Sequence, residues 1–233
     1  MTETAETLEL GDANPVVLSR NETESLCLKA ARGAGFSWGL AEEAGFAAGW
    51  LAAHGMDGTG PLLAHLTARL GLPADTGTPR PEPGHWQSAD NHALCPIKLG
   101  AAMCDAALLA DGPFGRDTRL DTVAYPILLL PFLVRAAQIS ASAVVIDWQV
   151  GKLRIAANGA FDRLAADRWI GMTDLAMTLW RATDIRVDQG GRIGLAAISA
   201  ASLNGLSALA LKTTVPATDA SRRGAGSATA DND

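Results

Sequence analysis

The sequence predicts an α+β protein in which a helical N-terminal half packs on a mainly antiparallel sheet from the C-terminal half. Three observations carry that prediction. Residues 18–112 hold apolar residues at near-helical spacing, with capping residues ahead of them and glycines behind. Residues 120–212 change to short strand-like runs separated by turn residues. Hydrophobic residues make up 48% of the 233 and charged residues 19%, enough apolar surface for one sizeable core. The domain reading is a flexible leader over 1–17 and a single α+β domain over 18–233. Within that domain, 18–112 is helical, 120–212 is mixed and 213–233 is a polar tail.

The elements follow in order. Ser19 with Glu22 three residues on fits a capping box, which satisfies two free amides at a helix start. The first helix then runs to Arg32, with Leu26, Cys27 and Ala30 facing inward, and Gly33 and Gly35 stop it. Ser37 caps a second helix from Trp38 to His54, which Gly55 ends. Trp38, Ala41, Ala48 and Leu51 make its apolar stripe, with Glu42 and Glu43 alongside. Thr59 and Pro61 open a third helix that closes at Gly71. Residues 72–91 carry Pro73, Pro79, Pro81 and Pro83 with no apolar period and read as a long loop. Pro96 starts a fourth helix, broken at Gly112-Pro113. Residues 123–130 read as a buried strand and 131–139 as a short helix. Residues 143–149 and 152–157 read as a hairpin joined at Val150-Gly151, with Asp147 and Trp148 on opposite faces. Weaker strands follow at 174–180 and 185–188, then a turn at Gly190-Gly191 and a last helix capped by Ser199.

Charge and motif content exclude several functions. A net charge of −6 with no Lys/Arg run argues against nucleic acid as a partner, since phosphate binding needs a concentrated basic face. The longest apolar run, 125–134, holds Pro126 and Pro131 and falls short of the roughly 20 residues of a membrane span. An odd set of cysteines (Cys27, Cys95, Cys104) behind an acidic start without a signal-peptide pattern fits reduced thiols in the cytoplasm. No dinucleotide fingerprint, Walker loop, nucleophile elbow or H-E-x-x-H occurs, so no cofactor is implied. His85, His92, Cys95 and Cys104 match no zinc spacing, and no metal site is assigned. Cys95 with His92 or His85 offers a thiol nucleophile at a helix start, whereas Cys104 reads as an inert core thiol. Asp105 is a lone acid in an apolar helix, and Tyr125, the single tyrosine, is expected in the core.

One segment gathers unlike groups around a flexible backbone: Ala31-Arg32-Gly33-Ala34-Gly35-Phe36-Ser37-Trp38-Gly39-Leu40-Ala41-Glu42-Glu43. A helix start behind glycines presents free amides to an anion, and an arginine beside it adds a clamp. With the middle run Tyr125-Pro126-Ile127-Leu128-Leu129-Leu130-Pro131-Phe132 and the ending Thr214-Val215-Pro216-Ala217-Thr218, Ser221-Arg222, Gly224-Ala225-Gly226 and Asp231-Asn232-Asp233, it resembles a bacterial family known as a domain of unknown function. The resemblance spans most of the chain and implies a stand-alone bacterial cytoplasmic protein. It brings no reaction, cofactor or catalytic residue.

The residues therefore point to an enzyme acting on a small anionic metabolite. Arg32, Ser37 and Trp38 bind the substrate, Glu42 or Glu43 moves a proton, and Arg222 closes from the tail. The alternative is a non-catalytic subunit or a metabolite-binding regulator, with a homo-oligomer as a possible partner arrangement.

Overall fold

In the computed structural model, which describes residues 15–183, 185, 187 and 194–213, the first helix begins where the capping box places it. The Ser19 amide donates to Glu22 Oε2 at 2.8 Å and the Glu22 amide to Ser19 Oγ at 3.3 Å, opening α1 (Arg20–Gly33). Ser37 caps α2 (Trp38–Ala53), and α3 (Thr59–Ala68) follows. The buried face of α2 is alanine and glycine apart from Leu51, which lets α1 lie close. A Cβ built on Gly45 would stand 2.7 Å from the Glu24 carbonyl oxygen. Of the stripe expected on α2, Ala41, Ala48 and Leu51 are buried, but Trp38 is 65% exposed. At the first position of the helix its ring lies against Arg32 of the last turn of α1 and stays open to solvent.

The proline-rich segment is not one long loop. It contains a hairpin of β1 (Pro79–Glu82) and β2 (His85–Ser88), joined at Pro83-Gly84 with Gly84 at φ 82. Prolines lack the amide that a central strand needs, and β1 is an edge strand, so Pro79 and Pro81 are tolerated there. After α4 (Pro96–Asp105) comes β3 (Thr118–Ala124), which starts and ends earlier than the apolar run suggests. Tyr125 turns left-handed at φ 44, and Pro126 opens a 3₁₀ turn (Pro126–Leu129) that leads into α5 (Leu130–Ile139). The hairpin β4 (Ala143–Trp148) and β5 (Gly151–Ile155) forms as expected, with Trp148 buried and Asp147 paired outside with Lys152 at 3.1 Å. A short α6 (Arg163–Asp167), capped by Asp162, is an addition that the sequence pattern does not announce. β6 (Asp174–Ala182) and α7 (Ala200–Leu211) complete the fold. The weaker strand at 185–188, the turn at Gly190-Gly191 and most of the tail lie outside the described residues or are only partly described.

The fold is α+β. The six strands form one sheet in the order β1-β2-β3-β6-β4-β5, antiparallel at every pairing except β2–β3. Two of its strands come from the front half, and α4 is the crossover that makes β2 and β3 parallel. A register shift between Leu120 and Val123 turns both Asp121 and Thr122 away from the core and brings Val123 back to it. Leu120, Val123, Ile146, Leu153, Met177 and Leu179 are buried in the core cluster, and α5 and α6 pack on β5. α1 packs on α2 and on α7.

Candidate functional site

The corner between α1 and α2 is built by backbone bonds. Ala34 N donates to Ala30 O at 2.9 Å and Phe36 N to Ala31 O at 3.0 Å, while Gly35 supplies the positive φ of 95° that the turn requires. Ser37 Oγ then accepts from the Leu40 amide at 3.5 Å. This corner forms one wall of a cleft of about 680 Å³, within the range of small-molecule sites. Ala34 to Ser37 and Leu40 form that wall. Arg69, Gly71 and Leu72 at the end of α3 form the next, and Ala74, Asp75, Thr78 and Pro79 lead on into β1. Lys98, Ala101, Ala102 and Asp105 of α4 close it.

The charged groups differ in what remains of their bonding capacity. Arg69 Nη1 donates to Thr76 O at 2.8 Å, and its guanidinium lies 5.3 Å from the centre of the Phe36 ring. The guanidinium fork has further donors, and Arg69 lines the cleft. Lys98 is 9% exposed and gives all three protons away, to Ala74 O at 2.6 Å, Thr76 O at 3.1 Å and Thr78 Oγ1 at 2.9 Å. It contributes charge to the cleft and ties down the 74–78 wall. Substituting Lys98→Met removes the donors to Ala74 O and Thr78 Oγ1 and leaves Thr76 O to Arg69 alone, and is expected to cost about 2 kcal/mol, read as a lower urea midpoint at unchanged slope. Asp75 and Asp105 supply acceptors, so the cleft offers both signs of charge.

Of the residues expected to form a site, Ser37 lines the cleft. Arg32 is bound into the corner: Nη1 donates to Phe36 O, and the guanidinium lies 4.8 Å over the Trp38 ring. Glu42 is exposed on α2. Glu43 accepts from Arg135 Nη2 at 2.5 Å, and the Arg135 guanidinium lies 3.8 Å over Phe46. Burial pushes the Glu43 carboxyl above the usual range, against the Arg135 charge, which pulls it down. Neither glutamate lines the cleft, and Arg222 lies outside the described residues. Asp105, singled out as a lone acid, does line it, on an exposed turn of α4.

Sequence reasoning does not reach Arg69, Lys98 and Asp75. Arg69 is the C-cap of α3, Asp75 lies in the proline-rich segment and Lys98 in α4, and nothing in their local sequence marks them. The histidines also take other partners than the sequence suggests. His85 Nε2 pairs with Asp121 at 2.8 Å and His92 Nδ1 with Asp90 at 3.3 Å, whereas Cys95 Sγ lies 3.3 Å from Nε2 of His65. The expected Cys95 partners are thus replaced by a histidine that α3 brings from 30 residues away. Among the described residues no group of three or more His, Cys, Asp or Glu is placed to hold a metal ion.

The fold and cleft define an α+β protein with one wall of its candidate site built from a helix–glycine–helix corner. Residues 18–101 match the model of a family described as a protein of unknown function (DUF3726). The match runs from the cap of α1 into α4 and covers part of the chain. It includes the corner, Arg69, Asp75 and Lys98. The resemblance to a domain of unknown function therefore holds over this span, while the middle and C-terminal runs quoted for it lie beyond the matched residues. No curated protein and no solved structure matches the chain. Among the described residues no helix is long and apolar enough to cross a membrane.

Proposed function

We propose that this is a bacterial cytoplasmic protein that binds a small anionic metabolite in the cleft at the α1–α2 corner. The observation that carries the reading is that Arg69 and the Ser37 cap of α2 line one cleft. A guanidinium with unused donors and a helix N-terminus both favour a carboxylate or phosphate. Asp75 and Asp105, which line the same cleft, favour a ligand that also carries hydroxyl or ammonium donors. Free cysteines at all three positions agree with a reducing compartment.

The test is thermal unfolding with citrate, malate and glycerol phosphate as probes. At about a hundredfold excess over Kd, a bound probe stabilises by roughly 2.7 kcal/mol, a rise of several degrees in Tm. The rise is expected to vanish in Arg69→Met, which removes the guanidinium from the cleft. It is also expected to vanish in Ala101→Trp, which fills the cleft without touching a charge. Probes that shift wild type and both variants alike bind elsewhere, and that result overturns the assignment.

A further inference from the structure

Beneath the cleft lies a second group of reactive side chains that the binding reading does not use. Cys95 is the N-cap of α4, wholly buried, with its Sγ 3.3 Å from His65 Nε2. His65 is 3% exposed, and its ring meets two others edge-on, Phe36 at 6.4 Å and Tyr125 at 5.8 Å. Phe36 is itself part of the cleft wall, so the thiol–imidazole pair lies one aromatic ring away from the ligand space. The other cover over Cys95 is the 74–78 wall. The Cys95 amide donates to Gly77 O at 2.9 Å, and a Cβ on Gly77 would stand 2.6 Å from Ala93 O.

Two features distinguish this pair from an ordinary core thiol such as Cys27. First, positive charge surrounds it: Arg69 lies one helical turn beyond His65, and Lys98 lies one turn beyond Cys95. Second, Tyr125, which packs on His65, holds a left-handed backbone at φ 44 and ψ 64 immediately before a proline. Such a conformation costs a non-glycine residue on the order of 1–3 kcal/mol, and strain of this kind gathers at functional sites.

We propose that Cys95 and His65 form a nucleophilic thiol–imidazole pair that reacts with an anionic carbonyl compound held in the cleft, once Phe36 swings aside. This rests on the anion-binding reading of the cleft. Arg69 would hold the ligand's carboxylate or phosphate. The Cys95 proton passes to His65 Nε2, the sulfur lone pair forms an S–C bond to the carbonyl carbon, and the C=O π pair moves onto oxygen. That oxygen then takes the proton from His65, giving a hemithioacetal hydroxyl and leaving the ligand's own anionic group unchanged, with no further reactant. At rest the pair is neutral. Burial, with the charges of Arg69 and Lys98, pushes His65 down to about 3. Burial also raises the thiol, against the Lys98 and Ile97 amides and the Arg69 and Lys98 charges, which lower it. An anion on Arg69 removes part of what depresses the imidazole, coupling ligand arrival to proton acceptance.

The experiment is alkylation of the full chain by iodoacetate and by iodoacetamide, with peptide mass mapping of each cysteine. Cys27, equally buried, reports any general unfolding. Cys95 is expected to react about tenfold faster than Cys27, with a preference for the anionic reagent over the neutral one that free cysteine does not show. Phe36→Ala is expected to raise the Cys95 rate by about a further tenfold while Cys27 stays protected, and His65→Gln in that background to abolish the gain. Glyoxylate, an anionic aldehyde, is expected to protect Cys95 in wild type. If Cys95 stays as inert as Cys27 in wild type and in Phe36→Ala, the pair is overturned, even where citrate still raises Tm. Selective reaction at Cys95 without preference for iodoacetate overturns the anionic ligand, and with it the binding reading, while the pair's reactivity stands.

Discussion

Replacing Gly33 with alanine is expected to destabilise the protein by about 3 kcal/mol, the upper range for forcing an atom into a packed contact. A Cβ at this position would stand 1.8 Å from the Leu209 carbonyl oxygen and 2.7 Å from its carbon. Those atoms are backbone, so no rotamer change relieves the clash, and α7 has to move off α1. Leu206 and Leu209, which α7 buries, would move with it. Two neighbouring glycines provide the comparison. Gly35 has open space around it but a φ of 95°, so Gly35→Ala is expected to cost about 1 kcal/mol through backbone strain alone. Gly39 has open space and lies inside α2, so Gly39→Ala is expected to gain roughly 0.5–1 kcal/mol. Urea denaturation of the three variants checks the order. Equal costs at 33 and 35 would show that α7 does not depend on the close approach at Gly33.

His65 is expected to make the protein acid-sensitive. Its imidazole is pushed down to about 3 in the fold, first by burial and then by Arg69 and Lys98, whereas in the unfolded chain it titrates near 6.5. Between those values the unfolded chain binds a proton that the folded one refuses, so stability rises with pH across that window. The contribution is fully present above about 6.5 and is lost as pH falls, at roughly 1.4 kcal/mol per unit. Lowering the pH from about 7.5 to about 4.5 is therefore expected to cost wild type roughly 3 kcal/mol more than His65→Gln. The groups facing the ring, Cys95, Lys98 and Arg69, are present in both proteins. So is His54, which burial also lowers, and its effect cancels in the difference. Equal pH slopes in the two proteins would mean that His65 is charged or hydrated in the fold.

Elements whose signals are local are legible in the sequence. Ser19 with Glu22, Ser37 and Ser199 mark helix starts because a side-chain oxygen satisfying a free amide is a contact within one turn. The β4–β5 hairpin is legible for the same reason, as its partners lie close in sequence. The β1–β2 hairpin is hidden because four prolines outweigh a Pro83-Gly84 turn flanked by short extended runs. Prolines exclude a central strand but not an edge. The limits of β3 are hidden because apolar character continues past Tyr125, where the backbone reverses and Pro126 cannot donate.

The site divides along the same line. The glycine corner is visible because Gly35 and Ser37 shape the backbone within a few residues, and that corner does line the cleft. Arg69, Asp75 and Lys98 are not visible, since each acquires meaning only from groups that the fold brings to it. Lys98 finds three acceptors in residues 74–78, more than a helix length away in sequence. Cys95 stands out as a thiol at a helix start, yet its histidine partner comes from α3 and not from the nearby loop.

By itself the sequence determined where most of the helices start and the α+β division of the chain. Capping and hydrophobic period are properties of neighbouring residues. Only the tertiary structure decided the strand order, the close crossing of α1 and α7 at Gly33, the cleft between α3 and α4, and the burial of Cys95 against His65. Each of these depends on residues 20 or more positions apart meeting across the core. Their approach is set by side-chain volume and by what each backbone can come close to, which no local pattern records.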